Sequence, residues 1–158
     1  MDNRDKIEKL LWSIALPGFG QILNGSLLKG IFFILLEFII NLRSNLNTAI
    51  IYSFHGNIEE AVSQTNFRWL MFYPCIYMYA AWDAYKYAKG DCIPFSFLPF
   101  VLAAYISTIG VIYSPQFKIS GILLGPVWLP IICLIAGALA GTMVRHLLIK
   151  SYKLSNRI

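Results

Sequence analysis

An acidic residue inside an apolar stretch is the first candidate for chemistry in this sequence. Glu37 is the single acidic residue deep in an apolar run, and Asn41 follows one helical turn later, where it could share a proton with the carboxyl group. An ionisable group at membrane depth is costly and is a functional candidate by default. Two interpretations stay open. In the functional interpretation, Glu37 relays protons, binds a cation or pairs with a partner subunit. In the structural interpretation, Glu37 is protonated and hydrogen-bonded within a helix bundle, or it lies in a water-filled crevice.

Asp83 and Lys29 form a second candidate pair. Asp83 lies near the end of an apolar run, in the segment 80–85. We expect it either to contact Lys29 or the backbone donors of a turn at residues 17–20, or to pair with Lys86 at i+3 on a solvated helix end. We favour a structural contact with the turn. A membrane enzyme that uses Asp83 together with Lys29 is a more remote hypothesis.

A cluster rich in proline and glycine separates two apolar runs near the N-terminus. The candidate functional or structural residues of this cluster are Pro17, Gly18, Gly20, Gln21, Asn24 and Lys29. Proline removes a backbone donor and glycine loosens a helix. Such backbone is tolerated at membrane depth only where protein or water satisfies it. The cluster therefore predicts either a re-entrant hairpin that positions its polar side chains near the cytoplasmic boundary, or, more commonly, a simple structural turn.

Small residues at helical spacing mark a candidate packing surface near the C-terminus. Gly137 and Gly141 form a G-x-x-x-G pattern inside an apolar helix, with Ala136 and Ala140 beside them. Small residues at this spacing let two helices approach closely. The pattern fits a dimer face, but ordinary packing within one bundle is the interpretation that we prefer.

The composition determines which elements must position these residues. Hydrophobic residues make up 58% of the 158 residues and charged residues 13%, and the mean hydropathy is +0.62. Soluble proteins average roughly 25% charged residues. The chain is therefore neither disordered nor a basic nucleic-acid-binding domain, and its three widely spaced cysteines exclude a disulfide-stapled module. No motif of a hydrolase, a nucleotide-binding loop or a metal site is present, so we expect no enzyme activity, no cofactor and no metal.

The apolar runs predict an all-α integral membrane bundle that occupies residues 1–158 as one domain. The four predicted transmembrane helices cover residues 27–42, 69–88, 96–114 and 121–144. Residues 10–23 are too short for a span, which needs roughly 20 apolar residues, and we expect a short re-entrant or interfacial helix there. Residues 43–67 are polar and predict a long loop, and residues 145–158 predict a basic cytoplasmic tail.

The distribution of basic residues decides between two topologies. If residues 10–23 crossed the membrane, the thirteen Lys and Arg residues would divide almost evenly between the two sides. If that segment turns back, only Arg43, Arg68 and Lys118 lie outside, as the positive-inside rule favours. We therefore predict four spans in a bacterial plasma membrane, with both termini cytoplasmic.

Short motifs of the N-terminal half resemble a known family. They are Ala15-Leu16-Pro17-Gly18-Phe19-Gly20-Gln21, Asn24-Gly25, Lys29-Gly30-Ile31-Phe32 and Trp82-Asp83-Ala84-Tyr85. Together they resemble the small bacterial membrane proteins related to the TM-two domain, over about residues 10–88. The resemblance implies that a glycine-rich turn joins two apolar segments and that a Trp-Asp motif ends the second. This chain departs from that pattern by its long polar segment at 43–67, and the family implies no general activity.

These observations together predict a non-enzymatic multi-pass membrane protein that acts as an interaction or accessory subunit of a bacterial membrane complex. The alternative is a small transporter or channel component that uses the intramembrane carboxylate of Glu37. The expected partners are the lipid bilayer and other membrane proteins or further copies of the chain, and no nucleic acid.

Overall fold

The computed structural model describes residues 3–90 and 94–155 and confirms the all-α class. The helices are α1 (Arg4–Ala15), α2 (Phe19–Leu23), α3 (Leu27–Ser44), α4 (Leu46–Phe54), α5 (Ile58–Gln64), α6 (Phe67–Leu70), α7 (Tyr73–Tyr87), α8 (Leu98–Tyr113) and α9 (Gly125–Ser155). A small antiparallel hairpin of β1 (Lys118–Ile119) and β2 (Ile122–Leu123) precedes α9. The sequence analysis predicts no strands in this region.

The N-terminal segment runs along α7 and then reverses. The backbone N–H of Lys89 donates to Asp5 (2.7 Å), and the Tyr77 hydroxyl donates to the carbonyl of Ile14, so α1 is antiparallel to α7. The chain turns at Gly18, whose φ of 111° suits glycine because it has no Cβ. Helix α2 then returns in the opposite direction, and a second turn at residues 24–26 leads into α3.

The predicted loop at residues 43–67 is wrong, because the segment contains α4, α5 and the start of α6. Asn45, in the left-handed conformation (φ 58°), ends α3 and lets α4 begin at once. The buried residues of α4 are Leu46, Ala49 and Ser53, which share one helical face. Hydropathy conceals this face, because Ala49 and Ser53 are small while Ile51 and Phe54 are exposed.

The predicted span at residues 69–88 is divided in the structure. Helix α6 ends at Leu70, and α7 begins only at Tyr73 with Pro74 in its first turn. Proline is tolerated there because the first N–H groups of a helix have no intrahelical partner. Pro74 therefore marks the start of a helix within a segment that hydropathy alone assigns to one continuous span.

The last helix also differs from its predicted bounds of 121–144. Residues 122–123 belong to β2, and α9 begins at Gly125 and continues through Arg145 to Ser155. The basic segment after residue 144 is thus helical over its described part. Lysine and arginine are good helix formers, and they are favourable near the negative end of the helix dipole.

The helices differ in their capacity to cross a bilayer. Among the described residues, one helix is long and apolar enough by length and composition, over Gly125–Lys153. At 1.5 Å per residue, the 18, 15 and 16 residues of α3, α7 and α8 extend about 27, 22 and 24 Å. The hydrocarbon core of a typical bilayer is about 30 Å thick.

Large apolar side chains are widely exposed, and several polar side chains are buried. Lys6, Gln21 and Asp83 are at most 3% exposed, whereas Leu28 is 85% and Leu139 62% exposed. The interior also contains small side chains such as those of residues 80, 81 and 84, which let the helices approach one another closely.

Candidate functional site at the junction of α2, α3 and α7

The Asp83 carboxylate lies at the centre of a polar cluster that we call the polar junction, formed by Gln21, Asn24, Lys29 and Asp83. The Lys29 Nζ lies 3.1 Å from Asp83 Oδ1, and the Gln21 Nε2 donates to Asp83 Oδ2 over 3.2 Å. The Asp83 side chain is 5% exposed, but that of Lys29 is 52% exposed. Each carboxylate oxygen therefore has a partner, and the positive partner reaches the surface.

The amide side chains of the polar junction also bind the backbone of α7. Gln21 Nε2 donates to the carbonyl of Ala80 (2.7 Å), and Asn24 Nδ2 donates to the carbonyl of Ala84 (2.8 Å). The two acceptor carbonyls are one helical turn apart on α7, so the side chains of Gln21 and Asn24 bind successive turns of that helix. These bonds fix α2 along the last turns of α7.

Glycine makes this close approach possible. A Cβ on Gly20 would lie 2.5 Å from the carbonyl oxygen of Lys9 and 2.6 Å from the Cβ of Ala84. A Cβ on Gly18 would lie 2.4 Å from the carbonyl oxygen of Gly30. The neighbouring Pro17 is buried. The proline–glycine segment is therefore the point where α1, α2, α3 and α7 come together.

Lys86, the other candidate partner of Asp83, has different neighbours. Its Nζ lies 4.7 Å from the ring centroid of Trp82 and 5.3 Å from that of Tyr87. Lys29 lies on the Tyr87 ring as well, at 4.5 Å. A cation over an aromatic face is attracted by the ring quadrupole. The carboxylate of Asp83 is thus paired with Lys29, while the Lys86 ammonium interacts with aromatic rings.

Glu37 is separate from the polar junction. It is half-buried on α3, where Asn41 Nδ2 lies 3.4 Å from its Oε1 and 3.1 Å from the side-chain oxygen of Asn47. Within residues 3–90 and 94–155, no basic side chain lies within ion-pair distance of it.

Gly137 and Gly141 face α8 of the same chain, in what we call the glycine interface. A Cβ on Gly137 would lie 2.5 Å from the carbonyl oxygen of Leu102, and one on Gly141 would lie 2.5 Å from the Cα of Pro99. On α8, a Cβ on Gly110 would lie 2.8 Å from the Cys133 sulfur. This face of α9 is therefore occupied within the bundle and is not open to a second copy.

Sequence reasoning missed the contacts of α1. Lys6, Lys9 and Ser13 are buried at a spacing of three and four residues, and Lys9 Nζ lies 2.5 Å from Asp5 Oδ1. That spacing places the three residues on one face of a helix and could have indicated a buried face. The polar composition of residues 1–9 instead suggested a solvent-exposed terminus. The hydrogen bond from Lys9, joined by that from the Lys89 N–H, lowers the pKa of Asp5 from its ordinary value of 3.8.

The chemistry available to the polar junction is limited. Both oxygens of Asp83 are engaged, and no hydroxyl or thiol nucleophile is hydrogen-bonded to it in the part of the chain that the structure describes. The described residues also contain no group of three or more His, Cys, Asp or Glu placed to hold a metal ion. The arrangement is suited to fixing helices relative to one another.

Neither known protein families nor curated proteins nor solved structures give a match to this chain.

Proposed function

We propose that this chain is a multi-pass integral protein of a bacterial plasma membrane, with a non-enzymatic role as an interaction or accessory subunit. The observation that carries the proposal is the wide exposure of leucine, isoleucine and phenylalanine side chains, together with the burial of Lys6, Gln21 and Asp83. Water-soluble monomers rarely expose contiguous apolar patches larger than a few hundred Å². Lipid is the environment in which such a surface is stable.

Helix α1 supports the proposal most directly. Its buried face contains Lys6 and Lys9, whereas Ile7, Leu11 and Trp12 are 52%, 59% and 48% exposed. An amphipathic helix on a soluble protein has the opposite orientation. Together with the reversal at Gly18, this favours a re-entrant α1–α2 hairpin that faces lipid with its apolar side.

The helix directions support the proposed topology. The starts of α1 and α3, the end of α7 and the start of α8 are close together, and Arg145 of α9 donates to the carbonyl of Pro94 (3.1 Å) at the same end. At the other end, Trp128 Nε1 donates to the carbonyl of Ser53 in α4 (3.2 Å). The basic termini thus share one end, which the positive-inside rule makes cytoplasmic, and Glu59 lies towards the other.

The short helices fit four spans when they are taken together with their neighbours. Helices α6 and α7 extend along residues 67–87, and α3 is close to the length of about 20 residues that a span needs. Helix α8 packs antiparallel to the longer α9 through the glycine interface. A local thinning of the bilayer accommodates helices a few residues short at modest cost.

An accessory role is consistent with the polar junction, where both carboxylate oxygens of Asp83 already have hydrogen-bond partners within the chain. Asp83 is engaged by Lys29 and Gln21, so the polar junction has a structural function. The outward face of α3 exposes large apolar side chains, among them Leu28 and Phe32, and this surface could contact lipid or a partner helix. The contact of Asp83 with Gln21, which follows the glycine turn directly, also supports a relationship to the TM-two domain.

Membrane integration and topology are tested in intact bacterial cells that express the full chain. We expect the protein to stay in the pellet after extraction with alkaline carbonate. In a background in which Cys75, Cys92 and Cys133 are replaced by serine, Glu59→Cys should react with an impermeant maleimide in intact cells, and Lys153→Cys only after lysis. Recovery of a soluble monomer without detergent would refute the proposal, and the reverse labelling pattern would refute the topology.

The accessory role is tested by cross-linking in native membranes, followed by purification under denaturing conditions. We expect defined cross-linked partners that depend on the α3 surface and are reduced by Phe32→Ser but not by the α5 variant Glu59→Gln. Turnover of a lipid or peptide by the purified chain alone would instead favour an enzyme.

A further inference from the structure

An apolar groove of about 280 Å³, which we call the outer groove, lies between α7 and α8. Tyr79 and Trp82 line it on α7, and Val101, Ala104 and Tyr105 line it on α8. Tyr79, Val101 and Tyr105 are each more than half exposed, so the groove opens to the outside of the bundle. An apolar cavity of about 150 Å³ already binds benzene, so the outer groove has room for a longer stretch of hydrocarbon.

The outer groove runs along the axes of two antiparallel helices. The ring centroids of Tyr85 and Phe100 are 6.1 Å apart at one end, and Cys75 Sγ lies 3.5 Å from Thr108 Oγ1 at the other. The lining positions of α7 extend from Cys75 to Trp82, which is two helical turns or about 10 Å. This is the direction in which an acyl chain lies beside a membrane-spanning helix.

Positive charge lies at the Trp82 end of the outer groove. The Nζ of Lys86, one helical turn further along α7, is 4.7 Å from the centroid of the Trp82 ring. Lys86 is exposed, and within the residues that the structure describes no carboxylate lies at ion-pair distance from it. Lys29 Nζ and Lys86 Nζ both lie beside the Tyr87 ring, at 4.5 and 5.3 Å from its centroid. Asp83 pairs with Lys29 alone, so the local charge is complementary to an anion.

We propose that the outer groove binds one anionic phospholipid of the cytoplasmic leaflet. An acyl chain lies between α7 and α8, and the phosphate of the headgroup contacts the ammonium of Lys86, with Lys29 adding to the local positive charge. Basic pockets between membrane helices on the cytoplasmic side bind anionic headgroups in this way. The inference rests on the proposed membrane location and topology, which bring the Lys86 end of α7 to the level of the cytoplasmic headgroups.

The test uses the purified full chain in micelles of the neutral detergent dodecyl maltoside, and native mass spectrometry counts the bound lipids. Dioleoyl phosphatidylglycerol, with one negative charge, is compared with dioleoyl phosphatidylcholine, which has the same acyl chains and no net charge. We expect the first phosphatidylglycerol to bind about fivefold more tightly than phosphatidylcholine, since a lysine near the surface favours an anionic lipid by about that factor. Equal binding of the two lipids would overturn the proposal. So would displacement of the lipid by an equal concentration of sn-glycerol 3-phosphate, which would indicate a site for a soluble anion.

Matched lysine variants test the contact with the headgroup. Lys86→Gln should abolish the preference for phosphatidylglycerol, a loss of about fivefold. Lys150→Gln removes another exposed charge at the same basic end of the molecule, on α9, and should leave the preference unchanged. An equal loss in both variants would mean that the overall charge attracts the lipid, and it would refute the site.

A second pair of variants tests the position of the acyl chain. Ala104→Trp fills the outer groove and should weaken binding of phosphatidylglycerol several-fold, whereas Ala136→Trp, at an exposed position of α9, should not. If Ala104→Trp does not fold, a phosphatidylglycerol with a photoreactive diazirine in its acyl chain decides the question in the wild type. It should label residues 75–82 and 100–105, and labelling spread evenly over α3 and α9 would refute the groove as the site.

Failure of this inference is distinguishable from failure of the proposed function. A chain that stays in the membrane pellet after carbonate extraction but does not prefer phosphatidylglycerol would refute the lipid site alone. Recovery of a soluble monomer without detergent would refute the membrane location, and the lipid site with it.

Discussion

The polar junction and the glycine interface hold helices together by different physical means. At the polar junction, Gln21 and Asn24 donate to carbonyls of α7, and Lys29 pairs with Asp83. At the glycine interface, Gly137 and Gly141 bring the backbone of α9 against α8 with no side chain between them. The first contact depends on a few directional bonds and the second on shape over several turns.

The difference shows two solutions to the same problem. In the bilayer that we propose as the environment of this chain, apolar side chains gain little by leaving lipid for protein, so helix association depends on close packing and on hydrogen bonds. The short α2, of five residues, cannot provide a long packed surface and relies on polar contacts. The long α8 and α9 can pack over several turns, and for them small residues are sufficient.

The largest effect is expected at the glycine interface. Gly137→Leu places a branched side chain against the Leu102 carbonyl, only 2.5 Å from the new Cβ, and should lower the free energy of unfolding by about 3 kcal/mol. Thermal unfolding in detergent measures this. Ala136→Leu, on the exposed neighbouring position, is the control and should change little. Equal stability of both variants would mean that α8 and α9 do not pack in this way.

A smaller effect is expected at the turn of the hairpin. Gly18→Ala adds a Cβ at a φ of 111° and 2.4 Å from the Gly30 carbonyl, and should cost about 2 kcal/mol. Limited proteolysis should then cleave near residues 15–25 faster than in the wild type. Gly25 also has a positive φ, but an added Cβ there would meet nothing within 4 Å. Gly25→Ala therefore measures the cost of backbone strain without the crowding that is expected at Gly18. If Gly18→Ala were no worse than Gly25→Ala, the proposed close approach would be incorrect.

Loss of the central carboxylate should have an intermediate effect. Asp83→Asn removes the charge partner of Lys29 and one acceptor of Gln21, and should cost about 1–2 kcal/mol. Because Lys29 is half-exposed, its coupling to Asp83 in a double-mutant cycle with Lys29→Met should be at most about 1 kcal/mol. Lys86→Met is the control. A larger coupling between Asp83 and Lys86 than between Asp83 and Lys29 would contradict the pairing.

The smallest effect concerns Asp5, which anchors the start of α1. Hydrogen bonds from Lys9 and the Lys89 N–H lower its pKa below the ordinary 3.8. Ionisation therefore favours the folded state, and this contribution is present above pH 3.8 and is lost as the pH falls through the lowered pKa. The protection factors of amide hydrogens at the start of α1 should fall on acidification in the wild type, and at pH 7 they should be lower in Asp5→Asn. The exposed variant Glu8→Gln should not reproduce this change.

Several features of the fold were accessible from the sequence. The turns around Gly18 and Asn24, and the long apolar helix near the C-terminus, follow from local composition and are present. The helices at residues 46–64 were missed because the buried face of α4 includes the small residues Ala49 and Ser53, and α5 is mostly polar with only Ala61 buried. The proline at position 74 marked a helix start that hydropathy averaging concealed. For the candidate site, the sequence offered Lys29, the turn at residues 17–20 and Lys86 as partners of Asp83 and favoured the turn, whereas the structure pairs Asp83 with Lys29 and Gln21.

The sequence by itself determined where the chain is apolar, where it breaks and where its charges lie, because these properties depend on residue type and on near neighbours. The tertiary structure decided which groups meet: that Asp83 contacts Lys29 across 54 residues, that Lys6 is buried, and that Gly137 faces α8. These outcomes depend on the direction in which each helix packs. That direction is set by contacts between residues far apart in the chain, which periodicity and composition do not encode.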